Sequence, residues 1–196
     1  MLTDAFALQY KRLFPSGPGR SAYLLQEQDL PQGRPDAIVV HASANAVKTY
    51  LNSGLSIPNY SSARVLAKMV DGRRERISAD TDLRNASALI RIGWTQKDVM
   101  RYSCTIFRSF AIEAKMRDWR RGLRQLAKVS SFVSDVYLFL PSEALPAVDT
   151  RSLKIYSAGL LVEQAGHVHQ AYASVEREID ISSNLWLIEL LARQTR

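Results

Sequence analysis

The sequence predicts an α/β fold: a mixed β-sheet flanked by helices, with a helical subdomain inserted into it. Three observations lead there. "AIVV" (Ala37–Val40) is a continuous apolar run, as expected of a strand buried on both faces. Residues 110–114, about 118–133 and 135–141 read as strand, amphipathic helix and apolar strand, the order of a parallel crossover unit. Between the first run and that unit the composition changes, and short helical stripes replace strand patterns.

In chain order, Phe6, Tyr10 and Leu13 recur at helical spacing within 3–14, and "PSGPGR" ends that helix. Ala22–Gln26 and Ala37–Val40 are two strands joined across a Pro/Gly turn. Val47, Tyr50 and Leu51 mark a helix closed by Gly54. Ser61 or Ser62 is placed to cap a second helix through Val65, Leu66 and Met69. Asp80 or Thr81 is placed to cap a third through Leu83, Ala86, Leu89 and Ile90, ending at Gly93. "WTQKDVMRYSCTIF" then reads as β-rich, a hairpin-like strand pair. Three short helices followed by such a pair is the order of a winged helix, while a helical insertion that only packs accounts for it equally well. The organisation read from the sequence is therefore an α/β core of 1–41 and 105–196 split by an inserted subdomain of 42–104, helical and winged-helix-like.

In the helix of about 118–133, Trp119, Leu123, Leu126 and Val133 project on one face, and Arg117, Arg121, Arg124 and Lys128 on the other. "LKIYSAGLLVEQ" and "HVHQAYAS" read as two edge strands, and "NLWLIELLARQ" as a closing helix. His167 and His169 share one side of their strand, a spacing that binds transition metals; without a third ligand they read as an exposed edge pair.

At 196 residues the chain is long enough for one core plus an insertion, and 46% apolar with 23% charged residues is an ordinary globular composition. No apolar run approaches the roughly 18–20 residues of a membrane span. "MLTDAFALQYKRLFPSG" lacks the uninterrupted apolar segment of a secretory signal. Cys104 is the single cysteine, so an intrachain disulfide and a cysteine-based zinc site are excluded, which fits a reducing, cytoplasmic setting. A net charge of +7 favours a polyanionic partner.

The chemistry-bearing pattern is split across the chain. Glu113 and Lys115 alternate onto one side of an otherwise apolar strand, and both cost free energy there unless something compensates them. No Asp or Glu lies between Met100 and Ile112 to serve as a second carboxylate. Asp36, immediately before the buried strand at Ala37, is 77 positions from Glu113. Removing 42–104 leaves "RPDAIVV", a short turn and "SFAIEAK", a β-hairpin that carries one carboxylate per strand. The plain alternative is a surface Glu113–Lys115 ion pair, with Asp36 as a turn residue.

With Pro35-Asp36 as one half-motif and Glu113-Ala114-Lys115 as the other, the sequence resembles the PD-(D/E)xK nuclease superfamily. A basic helix carrying Gln125, then an apolar strand ending in proline, follow in that family's order. The resemblance implies a restriction-endonuclease-like sheet. It implies Mg²⁺, with Mn²⁺ as a substitute, held by Asp36, Glu113 and the Ala114 carbonyl. Lys115 would hold or help deprotonate the attacking water, and Gln125 would orient the phosphate or Lys115. Arg117, Arg121, Arg124 and Lys128 are the candidate contacts to a nucleic-acid backbone. The expected activity is phosphodiester cleavage of DNA. RNA is the alternative polyanion, and a homodimer is a compatible assembly. The alternative function is a non-catalytic nucleic-acid-binding or regulatory protein that keeps the fold.

Overall fold

The computed structural model describes residues 2–70 and 80–195, and divides them into two compact units. The first comprises the described residues up to His41 together with Arg108–Glu178; the second comprises Ala42–Phe107 and the described residues from Ile179 onward.

The first unit is built on a six-stranded mixed sheet whose strands lie side by side in sequence order: β1 (Ser21–Gln26), β2 (Ala37–Ala42), β3 (Ile106–Ala114), β4 (Asp135–Pro141), β5 (Gly159–Gln164) and β6 (His167–Tyr172). The unit boundary cuts the ends of β2 and β3. Glu27 N–H donates to the Asp36 carbonyl, so β1 and β2 form a hairpin. Asp36, before β2, meets Ala114 at the end of β3, and Ser43, after β2, meets Thr105 before β3. Those strands are therefore antiparallel, as the excised hairpin predicts. β3, β4 and β5 run parallel and β6 returns antiparallel. β4 is buried along its whole length, and after Asp135 it reads as an apolar run.

Alternation along the strands supplies each face with its own core. Helix α1 (Leu2–Leu13) covers one face, where Phe6, Phe14, Val39, Phe110, Ile112, Tyr137 and Phe139 pack together. The rings of Phe14 and Phe110 lie 4.3 Å apart. The other face carries Ala111, Glu113 and Leu138, under the basic helix.

The second unit contains α2 (Ala44–Asn52), α3 (Tyr60–Val70), α4 (Asp80–Ile92) and α5 (Gln96–Ser103). Ser43 caps α2 through the Ala46 N–H. α3 is capped by Asn59, whose Oδ1 accepts from Ser62 N–H at 2.9 Å, and not by Ser61 or Ser62. The caps expected at Asp80 or Thr81, and the packing of Leu83, concern side chains outside the described ones. Residues 96–103 are helical, not a strand pair: Thr95 and Asp98 form a reciprocal capping box, and Val99 and Tyr102 bury at helical spacing. The wing of a winged helix thus has no counterpart among the described residues.

The basic helix α6 (Trp119–Val129) stops short of Val133, which is buried in the turn before β4. "LKIY" is not a strand but belongs largely to α7 (Thr150–Ile155), capped by Asp149, and β5 lies inside the sheet between β4 and β6. The last helix, α8 (Ile181–Thr195), belongs to the second unit and not to the α/β core, where the sequence had placed it. Its Glu189 is 2% exposed and accepts hydrogen bonds from Tyr50 Oη (2.6 Å), Ile57 N–H (3.0 Å) and Arg193 Nε (3.0 Å). A buried carboxylate with three donors is fully satisfied, and it fastens α8 to α2 and the segment after it.

Candidate active site

Asp36 enters the site because Pro35 ends the β1–β2 turn and fixes its approach to β2. With Ala37 and Val39 facing α1, alternation puts Asp36 on the α6 side of the sheet, the side of Glu113. Its Oδ2 accepts the Ala114 N–H at 2.7 Å, a bond that ties the two half-motifs together.

Glu113 is 1% exposed, and Lys115 Nζ donates to its Oε1. Burial pushes the Glu113 carboxyl above its ordinary range. The Lys115 hydrogen bond opposes that, and the Asp36 charge adds to it. A second carboxylate, Asp36, near enough to raise the proton affinity of Glu113, with one ammonium paired to Glu113, makes a donor set suited to a hard cation. Mg²⁺ takes one or two carboxylates and keeps several waters, so Asp36, Glu113 and the Ala114 carbonyl fit it. Among the described residues no group of three or more His, Cys, Asp and Glu side chains is placed to hold a metal.

Helix α6 lies directly over this cluster. Asp118 caps it, with Oδ1 accepting the Arg121 N–H at 3.0 Å. Gly122 permits the close approach: a Cβ there would come within 2.6 Å of Leu138 Cδ1 and 3.0 Å of Lys115 Cγ. The sequence reading missed Gly122, although a glycine in the middle of an otherwise strong helix former is a legible signal of close packing. Gln125 Oε1, less than a turn further on, is buried without a hydrogen-bond partner among the described residues. Gln125 lines a cavity of about 120 Å³ together with Glu113, Arg34, Pro35 and Lys128. An unsatisfied buried amide oxygen calls for a donor from water or a ligand.

On the other side of Ala114, a larger cavity of about 620 Å³ is lined by Thr3, Ala5, Glu27, Asp36, Ala114, Met116, Pro141 and Glu163. Glu27 and Glu163 lie outside both half-motifs, and no local pattern in the sequence marks them. Arg117, Arg121, Arg124 and Lys128 are all exposed, and no ion pair ties them to a carboxylate among the described residues. His167 and His169 are exposed on the edge strand β6.

No helix among the described residues is long and apolar enough to cross a membrane. No family model matches the sequence, and no curated protein matches it. A solved structure, a protein of unknown function from Silicibacter pomeroyi, is similar over 89% of this chain and 74% of that one, at 11% identity and a TM-score of 0.43.

Proposed function

We propose that the protein is a Mg²⁺-dependent phosphodiesterase with a restriction-endonuclease-like core that cuts DNA. The observation that carries this reading is the Asp36–Ala114 hydrogen bond at 2.7 Å, which gathers two carboxylates and Lys115 from opposite sides of a long insertion. A buried ion pair needs only two residues, and a third, distant acid adds repulsion unless a cation is to be held. Bound there, Mg²⁺ would supply Lewis acidity towards the phosphate and lower the pKa of its water.

The chain's own residues do the rest. Asp36, Glu113 and the Ala114 carbonyl provide oxygen ligands. Lys115 orients the attacking water and donates to the phosphate as negative charge grows on it. The water oxygen bonds to phosphorus and gives up one proton to solvent, the ester P–O bond breaks, and the leaving oxygen takes a proton from solvent. Gln125 offers its unpaired oxygen to the water or to Lys115. Arg117, Arg121, Arg124 and Lys128 hold the phosphate backbone.

Cleavage assays in Mg²⁺ and in EDTA, on single-stranded DNA, duplex DNA and RNA, test the proposal. Mg²⁺-dependent cutting of DNA supports it, and no cutting of any substrate overturns it. One observation favours a second reading, a nucleic-acid-binding protein without catalysis: Lys115 already occupies an oxygen of Glu113, and that carboxylate is buried. Salt-sensitive DNA binding with no cleavage at any metal concentration would select it.

A further inference from the structure

The two cavities beside the Asp36–Ala114 bond differ in chemistry. The smaller, on the α6 side, brings the cationic side chains of Arg34 and Lys128 together with Gln125 and Glu113. The larger, at about 620 Å³, falls within the roughly 300–1,000 Å³ of small-molecule sites. Its apolar lining is Ala5, Ala114, Met116 and Pro141, and its ionisable side chains besides Asp36 are Glu27 and Glu163. Both glutamates are already anchored. Glu27 Oε2 accepts from Arg34 at 2.7 Å, and Glu163 Oε1 accepts from Gly166 N–H at 2.6 Å. The second oxygen of each remains an acceptor, since an ionised carboxylate only accepts.

A cavity that is apolar in its walls and purely accepting in its charged groups repels phosphate and suits a flat group with N–H donors. We infer that this cavity receives one unpaired nucleobase adjacent to the phosphate being cut. The inference rests on the nuclease reading and narrows its substrate to DNA with an unpaired nucleotide at the cleavage point: an overhang, a frayed end or a single strand. The N–H groups of a base are engaged by its partner in a duplex. Only an extruded or unpaired base can offer them to Glu27 and Glu163 while its faces pack on Met116 and Pro141. The position beside Asp36 and Ala114 puts the base and its phosphate on opposite sides of the same hydrogen bond.

The test uses short duplexes carrying 2-aminopurine, either paired within the duplex or unpaired at its 3′ end, with Ca²⁺ in place of Mg²⁺. Binding is followed by anisotropy of a dye on the far end, and base environment by 2-aminopurine emission. The expected result is a several-fold change in emission on binding for the unpaired base and none for the paired one. Ala5→Phe, which fills the cavity, should abolish the change; Glu163→Gln, nearly isosteric and able to keep the Gly166 bond, should reduce it. If Ala5→Phe fails to fold, Glu163→Gln alone decides. Equal responses of paired and unpaired probes, or a Glu163→Gln response equal to wild type, overturn the inference, and Mg²⁺-dependent cleavage of DNA would still stand. Absence of both binding and cleavage for every probe overturns the nuclease reading itself, and the base site with it.

Discussion

Asp36 Oδ2 accepts the backbone N–H of Ala114 at 2.7 Å, although 78 positions separate them in the chain. That bond leaves Glu113 and Lys115, the residues on either side of Ala114, pointing to the opposite face of the strand from Ala114's own side chain. It is the joint on which the proposed chemistry turns.

Asp36→Asn keeps an oxygen to accept the Ala114 N–H but removes one negative charge. Thermal melts should shift little, while Mg²⁺-dependent cleavage should fall below detection. Lys115→Ala should lower the rate by roughly 10²–10⁴-fold. It also strips Glu113 of its ammonium, so that carboxyl should take up a proton at higher pH than in wild type. Rates and melts measured together check both variants; unaltered cleavage by Asp36→Asn would remove Asp36 from the site.

Gly122→Ala should destabilise the fold even though alanine is the better helix former. The added methyl meets Leu138 Cδ1 at 2.6 Å and Lys115 Cγ at 3.0 Å. Overpacking costs about 1–3 kcal/mol, against about 1 kcal/mol gained in helix propensity. Cleavage should drop more than DNA binding does, because Lys115 is displaced and the exposed arginines are not. Urea melts and filter binding measure the two effects.

If the exposed stripe tracks the phosphate backbone, log affinity should fall linearly with log salt, with a slope of about −0.9 per duplex phosphate contact. Arg121→Ala with Arg124→Ala should flatten the slope by about two units. The helix should survive, since Trp119, Leu123 and Leu126 on its buried face are untouched. Titrations at several salt concentrations check this, and an unchanged slope would make the stripe a solvated face.

His41 makes fold stability sensitive to mild acid. Its Nε2 lies 3.0 Å from the Phe14 carbonyl and its ring packs on Phe110, with Arg108 and Arg20 as nearby cations. Burial chiefly lowers its pKa below 6.5, and the two arginines add to that against the Phe14 bond and Asp135. Between the folded pKa and 6.5 the unfolded chain binds more protons, so stability rises with pH across that window and is lost as pH falls through it. His41→Phe should remove this part of the slope, as read from urea melts from neutral pH downwards.

Much of the α/β core is legible because burial imposes a period on each element. Strand β4 is apolar after Asp135 because both its faces are covered, and α6 alternates because one face is not. The pairing of Asp36 with the Glu113 strand could be read across the insertion because each half-motif sits on an apolar strand. Helix α5 could not be read the same way. Its tyrosine and β-branched neighbours carry strand propensity, and the Thr95–Asp98 box that decides the matter is only two side chains. Gly122 signals a close approach in the middle of α6, but only its distances to Leu138 and Lys115 say what approaches. The allegiance of α8 depends on Glu189 meeting Tyr50 and Ile57, contacts more than 130 positions away that no local pattern encodes.

That allegiance sets an order of events during synthesis. Helices α2 to α5 are complete once Ser103 has been made, but Tyr50 and Ile57 find the Glu189 carboxylate only when α8 follows. At roughly 5–20 residues per second the delay is on the order of ten seconds. Through that interval the apolar sides of α2 and α3 lack α8, while β3, β4 and β5 are already in hand to pair. The α/β unit is thus free to mature first, and the nascent helical unit is the stretch on which a chaperone that binds apolar segments would act.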